Sequence, residues 1–356
     1  MPTDVDARLA ALRGPVRPRH HNARTIAALT SNPGCARRAV LDAAGIDKAA
    51  LATAVDFPAP YGQSQFAITR GNAFEARMKA DGCAELLRLL RETLGLDLPD
   101  DVAYTDLESV AGAETDQDLR HAHSRTHLET ATGPSLYDHP LLKLRVAGQD
   151  VYLEPDLVAF QHNGRYHVVE IKSFPVIDRQ ADPAKVAAAA TQAAVYVLAL
   201  RRLLGDPDAV SHDIVLVCPA DFGSRPVAVT VDVRRQLSVL EHQLGRMVRV
   251  ERILSELPSD LTFRLDLNRP ADELGDAIGA VDPCYSPSCL SNCELAYFCR
   301  HEGRQSTASL GTNVRDDLGG VETIDEVLAL AEGDSPDEVA TMIRTVARVY
   351  AESRSA

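Results

Sequence analysis

Apolar and polar positions along this chain change period several times, and the changes mark out its elements. From 25 to 45 the apolar residues recur at helical spacing, broken by Pro33 and Gly34 just before Cys35. A second helical pattern runs from Gly71 to Leu94, after a Pro-rich loop. Residues 97–134 are polar, acidic and His-containing with no sustained period, which predicts a long surface excursion in which His121, His123 and His127 are solvated. Short apolar runs then predict strands at Leu141–Val146, Val151–Phe160 and Arg165–Ile171. An Ala-rich helix over Pro183–Leu204 follows, then strands at Asp213–Cys218 and Val227–Val231 and a helix over Arg234–Ser255. Beyond a loop-rich, cysteine-rich stretch, two short helices are expected near Thr323–Ala331 and Pro336–Glu352. Helix, strands, helix, strand is the order of an α/β fold with a mixed sheet.

Composition narrows the class of protein. With 356 residues, 45% hydrophobic and 25% charged, the chain has enough apolar material for a sizeable core. No apolar run follows the first basic residues, and no segment approaches the roughly 18 consecutive apolar residues of a membrane span, so a cytoplasmic protein without membrane contact is expected. The net charge of −14 excludes a general nucleic-acid coat, because phosphate binding relies on a positive field. Any polyanion contact must then be local. Seven cysteines are an odd number in a chain too long to need disulfide staples, which favours reduced thiols or a metal site.

The stretch VYLEPDLVAFQHNGRYHVVEIKS places charge inside two strand-like runs. A three-residue loop, His162-Asn163-Gly164, would pair Gln161 with Arg165. It would set Asp156 opposite Glu170 and Glu154 opposite Lys172, all on one face. A two-residue loop would instead send Asp156 and Glu170 to opposite faces. Two opposed carboxylates repel unless a cation lies between them, and Mg²⁺ suits one or two carboxylates plus waters and a phosphate oxygen. Lys172 would orient the attacking water or stabilise charge on a phosphate. The alternative is a Glu154–Lys172 ion pair at a sheet edge.

The run Pro155-Asp156, thirteen residues, then Glu170-Ile171-Lys172 resembles the active-site signature of the PD-(D/E)XK nuclease superfamily. Gln192 and Tyr196 in QAAVY resemble the Gln-x-x-x-Tyr element of its RecB-type branch, and GNAFE, Gly71 to Glu75, is similar to that branch's first helical motif. The resemblance implies a restriction-endonuclease-like core, a mixed central sheet flanked by helices, with a helical iron-sulfur cap. It implies that Asp156, Glu170, the Ile171 carbonyl and Glu75 hold Mg²⁺ or Mn²⁺. It also implies that Lys172 assists catalysis, with Gln192 and Tyr196 holding substrate or supporting the site.

Four cysteines crowd into CYSPSCLSNCELAYFC, and thiolates so spaced suit tetrahedral zinc or an iron-sulfur cluster. The RecB-type branch includes the CRISPR-associated iron-sulfur exonucleases and the AddB nuclease domain, which take one upstream cysteine and three downstream, ending in Cys-x5-Cys. Cys35 resembles the upstream ligand, and Cys293 and Cys299 reproduce the last step. Three residues separate Cys289 from Cys293, where those families usually have two. The resemblance thus implies a structural 4Fe-4S cluster on Cys35, Cys289, Cys293 and Cys299, with Cys284 as the substitute for Cys289. Cys83 and Cys218 read as buried apolar residues.

The expected organisation is an N-terminal arm and helix with the first cluster cysteine (1–60), a nuclease core (61–280) with its polar excursion at 97–134, a cluster segment (281–303) and a helical tail (304–356). The expected function is a metal-dependent deoxyribonuclease, an exonuclease in DNA processing, repair or antiviral defence. Its substrate would be single-stranded DNA or DNA with free ends, and a helicase or other protein partner would supply affinity. The alternatives are a catalytically silent iron-sulfur DNA-binding or scaffold subunit and a zinc-stapled nuclease.

Overall fold

The structure is a computed structural model. It describes residues 4–355 apart from 60–64, 96–97, 100–101, 112–115, 156–158, 163, 179, 222, 224 and 267–268. The chain is mixed α/β and divides into two units, one of residues 20–33 and 62–252, the other of 1–19, 34–61 and 253–356.

The sheet lies in the first unit. Its strands are β1 (Ala103–Asp106), β2 (Ser135–Asp138), β3 (Leu142–Val146), β4 (Gln149–Leu153), β5 (Ala159–His162), β6 (Arg165–Ile171), β7 (Asp213–Pro219) and β8 (Pro226–Asp232). Six form one sheet in the order β1-β2-β5-β6-β7-β8, while β3 and β4 form a separate hairpin. β1 and β2 are parallel, as are β6 and β7, and the remaining neighbours are antiparallel. A parallel pair needs a long crossover, which the helix Pro183–Leu204 supplies between β6 and β7.

That helix begins where Asp182 accepts from the backbone N–H groups of Ala184 and Lys185, with Pro183 in its first turn, and it stops at Gly205. Ala189, Ala190, Ala193, Ala194 and Val197 are buried along it. It is long and apolar enough to cross a membrane, yet more than half of its most apolar stretch is buried within the protein. Gly205 closes the helix at φ +69°, a left-handed conformation that a Cβ disfavours. Gly205→Ala should therefore lower stability by about 1 kcal/mol, which denaturant unfolding would measure.

The long helix Gln65–Leu94 covers one face of the sheet: its Phe74, Met78, Leu86 and Leu90 pack with Leu136, Val169, Ile171, Val215 and Val217. Residues Ala80 to Cys83 break its regular geometry, with Asp81, Gly82 and Cys83 at positive φ. Because strand side chains alternate, Val168 and Glu170 belong to the other face. There the Tyr166 hydroxyl donates to the Leu128 carbonyl at 2.6 Å.

Three expectations are corrected. The run Val151–Phe160 is two strands in two sheets, since β4 pairs with β3 and β5 joins the main sheet. The excursion at 97–134 contains β1 and the helix Gln117–Thr130, which carries His121, His123 and His127. The hairpin register differs as well. His162 pairs with Arg165 and Gln161 with Tyr166, so the loop is one residue shorter than expected, with Gly164 at φ +75°. A two-residue loop with positive φ matches the natural strand twist. The described ladder runs from Ala159, opposite Val168, to His162, and Asp156 lies outside the described residues.

The second unit is helical. Its segments include Ala36–Ala43, Lys48–Ala54, Ala271–Gly279, Ala296–Glu302, Ile324–Glu332 and Glu338–Ser355. The Ala36–Ala43 helix is tied to the C-terminal part of the unit by the Arg37 N–H, which donates to the Asp282 carbonyl at 3.0 Å.

Candidate active site and cysteine cluster

β6 delivers Glu170 and leads directly into Lys172. The Glu170 side chain is buried, and Lys172 Nζ lies 2.5 Å from its Oε1. Burying a carboxylate costs free energy unless it is paired, and Lys172 is that pair. The Lys172 N–H donates to the Val217 carbonyl at 2.9 Å, which holds the end of β6 against β7. Cys218 lies within the field of the pair: burial pushes its thiol up to about 12, with Lys172 opposing and Glu170 adding. Ile171 turns its side chain into the core beneath the long helix.

Other expected residues are distributed differently. Glu154 is not paired with Lys172, because Arg120 donates to its Oε1 at 2.8 Å. Gln192 is half-buried and Tyr196 buried, four residues apart on one face of the Pro183–Leu204 helix, which packs against β3, β6 and β7.

Glu75 is held in an ion network that the sequence did not reveal. Lys79 Nζ is 2.7 Å from Glu75 and 3.0 Å from Asp138, which is 1% exposed at the end of β2. The Tyr104 hydroxyl donates to Asp138 at 2.9 Å. Next along the chain, His139 Nδ1 lies 3.1 Å from Asp106. Burial alone would lower the Lys79 pKa, but the two carboxylates outweigh it and hold the ammonium above its ordinary value. Burial and the nearby Asp138 charge push the Tyr104 phenol up, and burial takes the Cys83 thiol to about 11. The available sequence signal was Asp138-His139 at the end of SLYD, a strand of four buried residues that is too short for periodicity.

In the helical unit, Cys35, Cys284, Cys289, Cys293 and Cys299 share one locale. Cys35 acts electrostatically on Cys284 and Cys299, Cys293 on Cys299, and Cys289 on Cys284. Burial pushes Cys293 up to about 11 and Cys299 to about 12, and Arg38 and Arg37 respectively oppose the shift. Arg37, 1% exposed, donates to the Cys299 Sγ at 3.1 Å, to the Val281 carbonyl at 2.9 Å and to both carboxylate oxygens of Glu302. Arg38 donates to Asp42 and to the Asn292 carbonyl, and Lys48 also pairs with Asp42. Soft sulfur donors of the kind a metal centre uses thus lie in one neighbourhood beside cations, and no three of their ligand atoms are among the groups found within 4.8 Å of one another in the described residues. Cys83 and Cys218 are buried in the other unit, as expected.

His212, Asp213 and Asp232 also place ligand atoms within 4.8 Å of one another at the β7–β8 edge. Arg234 already holds Asp232 at 2.5 Å and depresses its pKa to about 2, so this group is a solvated surface ion cluster.

No protein-family model matches the chain, and no curated protein does. A solved structure titled "Crystal structure of SSO0001" is similar at 12% identity over 45% of this chain and 86% of that one, with a TM-score of 0.18.

Proposed function

We propose that this protein is a metal-dependent nuclease with a restriction-endonuclease-like core, hydrolysing phosphodiester bonds of DNA, and that its cysteines hold a structural 4Fe-4S cluster. The observation that carries the reading is the Glu170–Lys172 pair at the end of β6, its carboxylate buried and its ammonium partly exposed. The connectivity supports it: a long helix, then β2, β5 and β6 antiparallel in turn, a crossover helix and a parallel β7.

The Glu170 carboxylate and the Ile171 carbonyl would hold a divalent cation, with Asp156 as the second carboxylate implied by the motif. When bound, the cation supplies Lewis-acid charge to the phosphate. Lys172 would then turn its ammonium from Glu170 toward the attacking water or the developing negative charge on the phosphoryl oxygens. Gln192 and Tyr196 would support the site from the adjoining helix. Cys35, Cys289, Cys293 and Cys299 would bind the cluster, with Cys284 as the substitute for Cys289.

A second reading, a silent DNA-binding scaffold, draws on the ion pairs themselves. Glu170, Glu154 and Glu75 each have a cationic partner, as structural carboxylates do.

Protein purified without oxygen separates the readings. The nuclease should be brown, contain iron and inorganic sulfide, and cut end-labelled single- or double-stranded DNA with Mg²⁺ or Mn²⁺. Colourless protein with one zinc would replace the cluster and leave the nuclease. A folded, metal-replete protein that cuts neither substrate would favour the scaffold.

A further inference from the structure

Beyond β6 and β7 the chain forms a pocket. A cavity of about 140 Å³ lies between the long helix and the carboxyl ends of these parallel strands, lined by Arg70, Arg77, Ser173, Pro175, Pro219 and Asp221, among others. In open α/β sheets, ligands bind in the crevice outside the carboxyl ends of the strands. Ser173 directly follows Lys172, so the pocket adjoins the Glu170–Lys172 pair along the chain.

The arginines are placed by helical geometry. Seven residues is close to two turns, so Arg70 and Arg77 lie on one face of the helix, with Ala73 and Phe74 between them on the cavity wall. The Phe74 side chain is buried in the core, which fixes that face toward the sheet. Arg70 donates to the Ser173 carbonyl at 2.9 Å. A Cβ at Gly71 would sit 3.4 Å from the Ser173 hydroxyl oxygen, an ordinary contact, so this turn of the helix packs beside Ser173. Two arginines and one carboxylate, Asp221, line the pocket in a chain of net charge −14, and Arg77 also acts electrostatically on Glu85. This is local positive charge in an otherwise acidic protein, and guanidinium geometry suits two-point binding of phosphate oxygens.

We propose that this pocket binds a backbone phosphate of the nucleic-acid strand, with Arg70 and Arg77 as its ligands, and so anchors the strand at the end of β6 that leads out of Glu170 and Lys172. The proposal rests on the nuclease reading for its ligand and adds a binding subsite to it. Arg70 and Arg77 position the strand, and the chemistry stays with the β6 pair.

The test measures binding of a 5′-labelled single-stranded DNA oligonucleotide to the full chain, in Ca²⁺ to prevent cleavage, across a series of salt concentrations. Arg88→Ala is the control, because it removes the same charge from an exposed position beyond the Ala80–Cys83 break, where Arg88 pairs with Glu85 and Glu92. Arg70→Ala and Arg77→Ala should each weaken binding about tenfold and reduce the salt dependence by about one phosphate contact, while Arg88→Ala changes neither by as much. Arg70→Lys and Arg77→Lys, which keep the charge, should lose less, and they carry the comparison if the alanine variants fail to fold. Binding and salt slopes no different from those of Arg88→Ala would overturn the subsite. Cleavage by the unmodified protein in Mg²⁺ is read separately. Cleavage together with unchanged slopes refutes the pocket alone, and slopes that fall without cleavage refute the nuclease reading while retaining the pocket.

Discussion

Lys172→Ala should reduce single-turnover DNA cleavage by a factor on the order of 10²–10³ or more while leaving Mg²⁺ affinity intact or raised. The reasoning starts from the 2.5 Å contact between Lys172 and Glu170. Removing the ammonium takes away the charge that would meet the developing phosphoryl anion. It also removes a competitor for the carboxylate that would bind the metal, so affinity for the cation should not fall. Glu170→Gln should behave differently, losing both cleavage and metal affinity, since it deletes an anionic ligand from a site with few. Lys172→Ala leaves the buried Glu170 carboxylate without this partner and Glu170→Gln leaves a partly exposed ammonium, so the first should lose more stability, and unfolding curves must accompany the kinetics. The double variant Glu170→Gln/Lys172→Met, which leaves no uncompensated charge, should recover stability without recovering activity. Wild-type cleavage by Lys172→Ala would make the pair structural and return the scaffold reading to first place.

The second large effect belongs to the helical unit and is one of stability. Asp42 is 7% exposed and is the carboxylate that Arg38 and Lys48, both buried, share. Burial alone would lower the pKa of each cation. Asp42 is the main opposing influence, and both are held above their ordinary values. Asp42→Ala leaves two buried cations, with the Asn292 carbonyl remaining for Arg38 and Glu294 at 3.8 Å for Lys48. The expected loss is about 3–5 kcal/mol, as for other buried pairs broken on one side. Urea unfolding of Asp42→Ala against the wild type measures it. Because Arg38 reaches the Asn292 carbonyl just before Cys293, iron retention should fall in parallel. A loss below about 1 kcal/mol would mean that water already reaches these charges.

Much of the element pattern was legible because it is local. The β6 strand and the Pro183–Leu204 helix have the bounds that their apolar runs predict, and the fold is mixed α/β as their order implies. The helix predicted over Arg234–Ser255 is two, Arg234–Arg246 and Val250–Glu256, with residues 247–249 between them. What was hidden is non-local or short. β1 and β2 have four residues each, fewer than a period-two pattern needs to stand out from a loop. The hairpin register turned on one residue of loop length, a choice between two plausible turns that apolar pattern alone did not settle. Glu75 was legible as a motif position. Its tie through Lys79 to Asp138 was not, because no spacing rule links a helix to a strand tens of residues away. The cysteine spacing pointed to a shared centre, whereas nothing in the local pattern marked Arg37 and Arg38, which are among the most buried charges described.

The Arg37–Cys299 hydrogen bond spans 262 residues of sequence. During synthesis at about 5–20 residues per second, roughly 13–50 s must pass between the emergence of Arg37 and that of its sulfur partner. Throughout that interval the Ala36–Ala43 helix lacks its C-terminal packing, and Arg37 lacks Glu302 and the Cys299 sulfur, whereas Arg38 already has Asp42 within the helix. Cys35 meanwhile is without the thiols that share its locale, so a metal centre there could be completed only late, after most of the chain has left the ribosome.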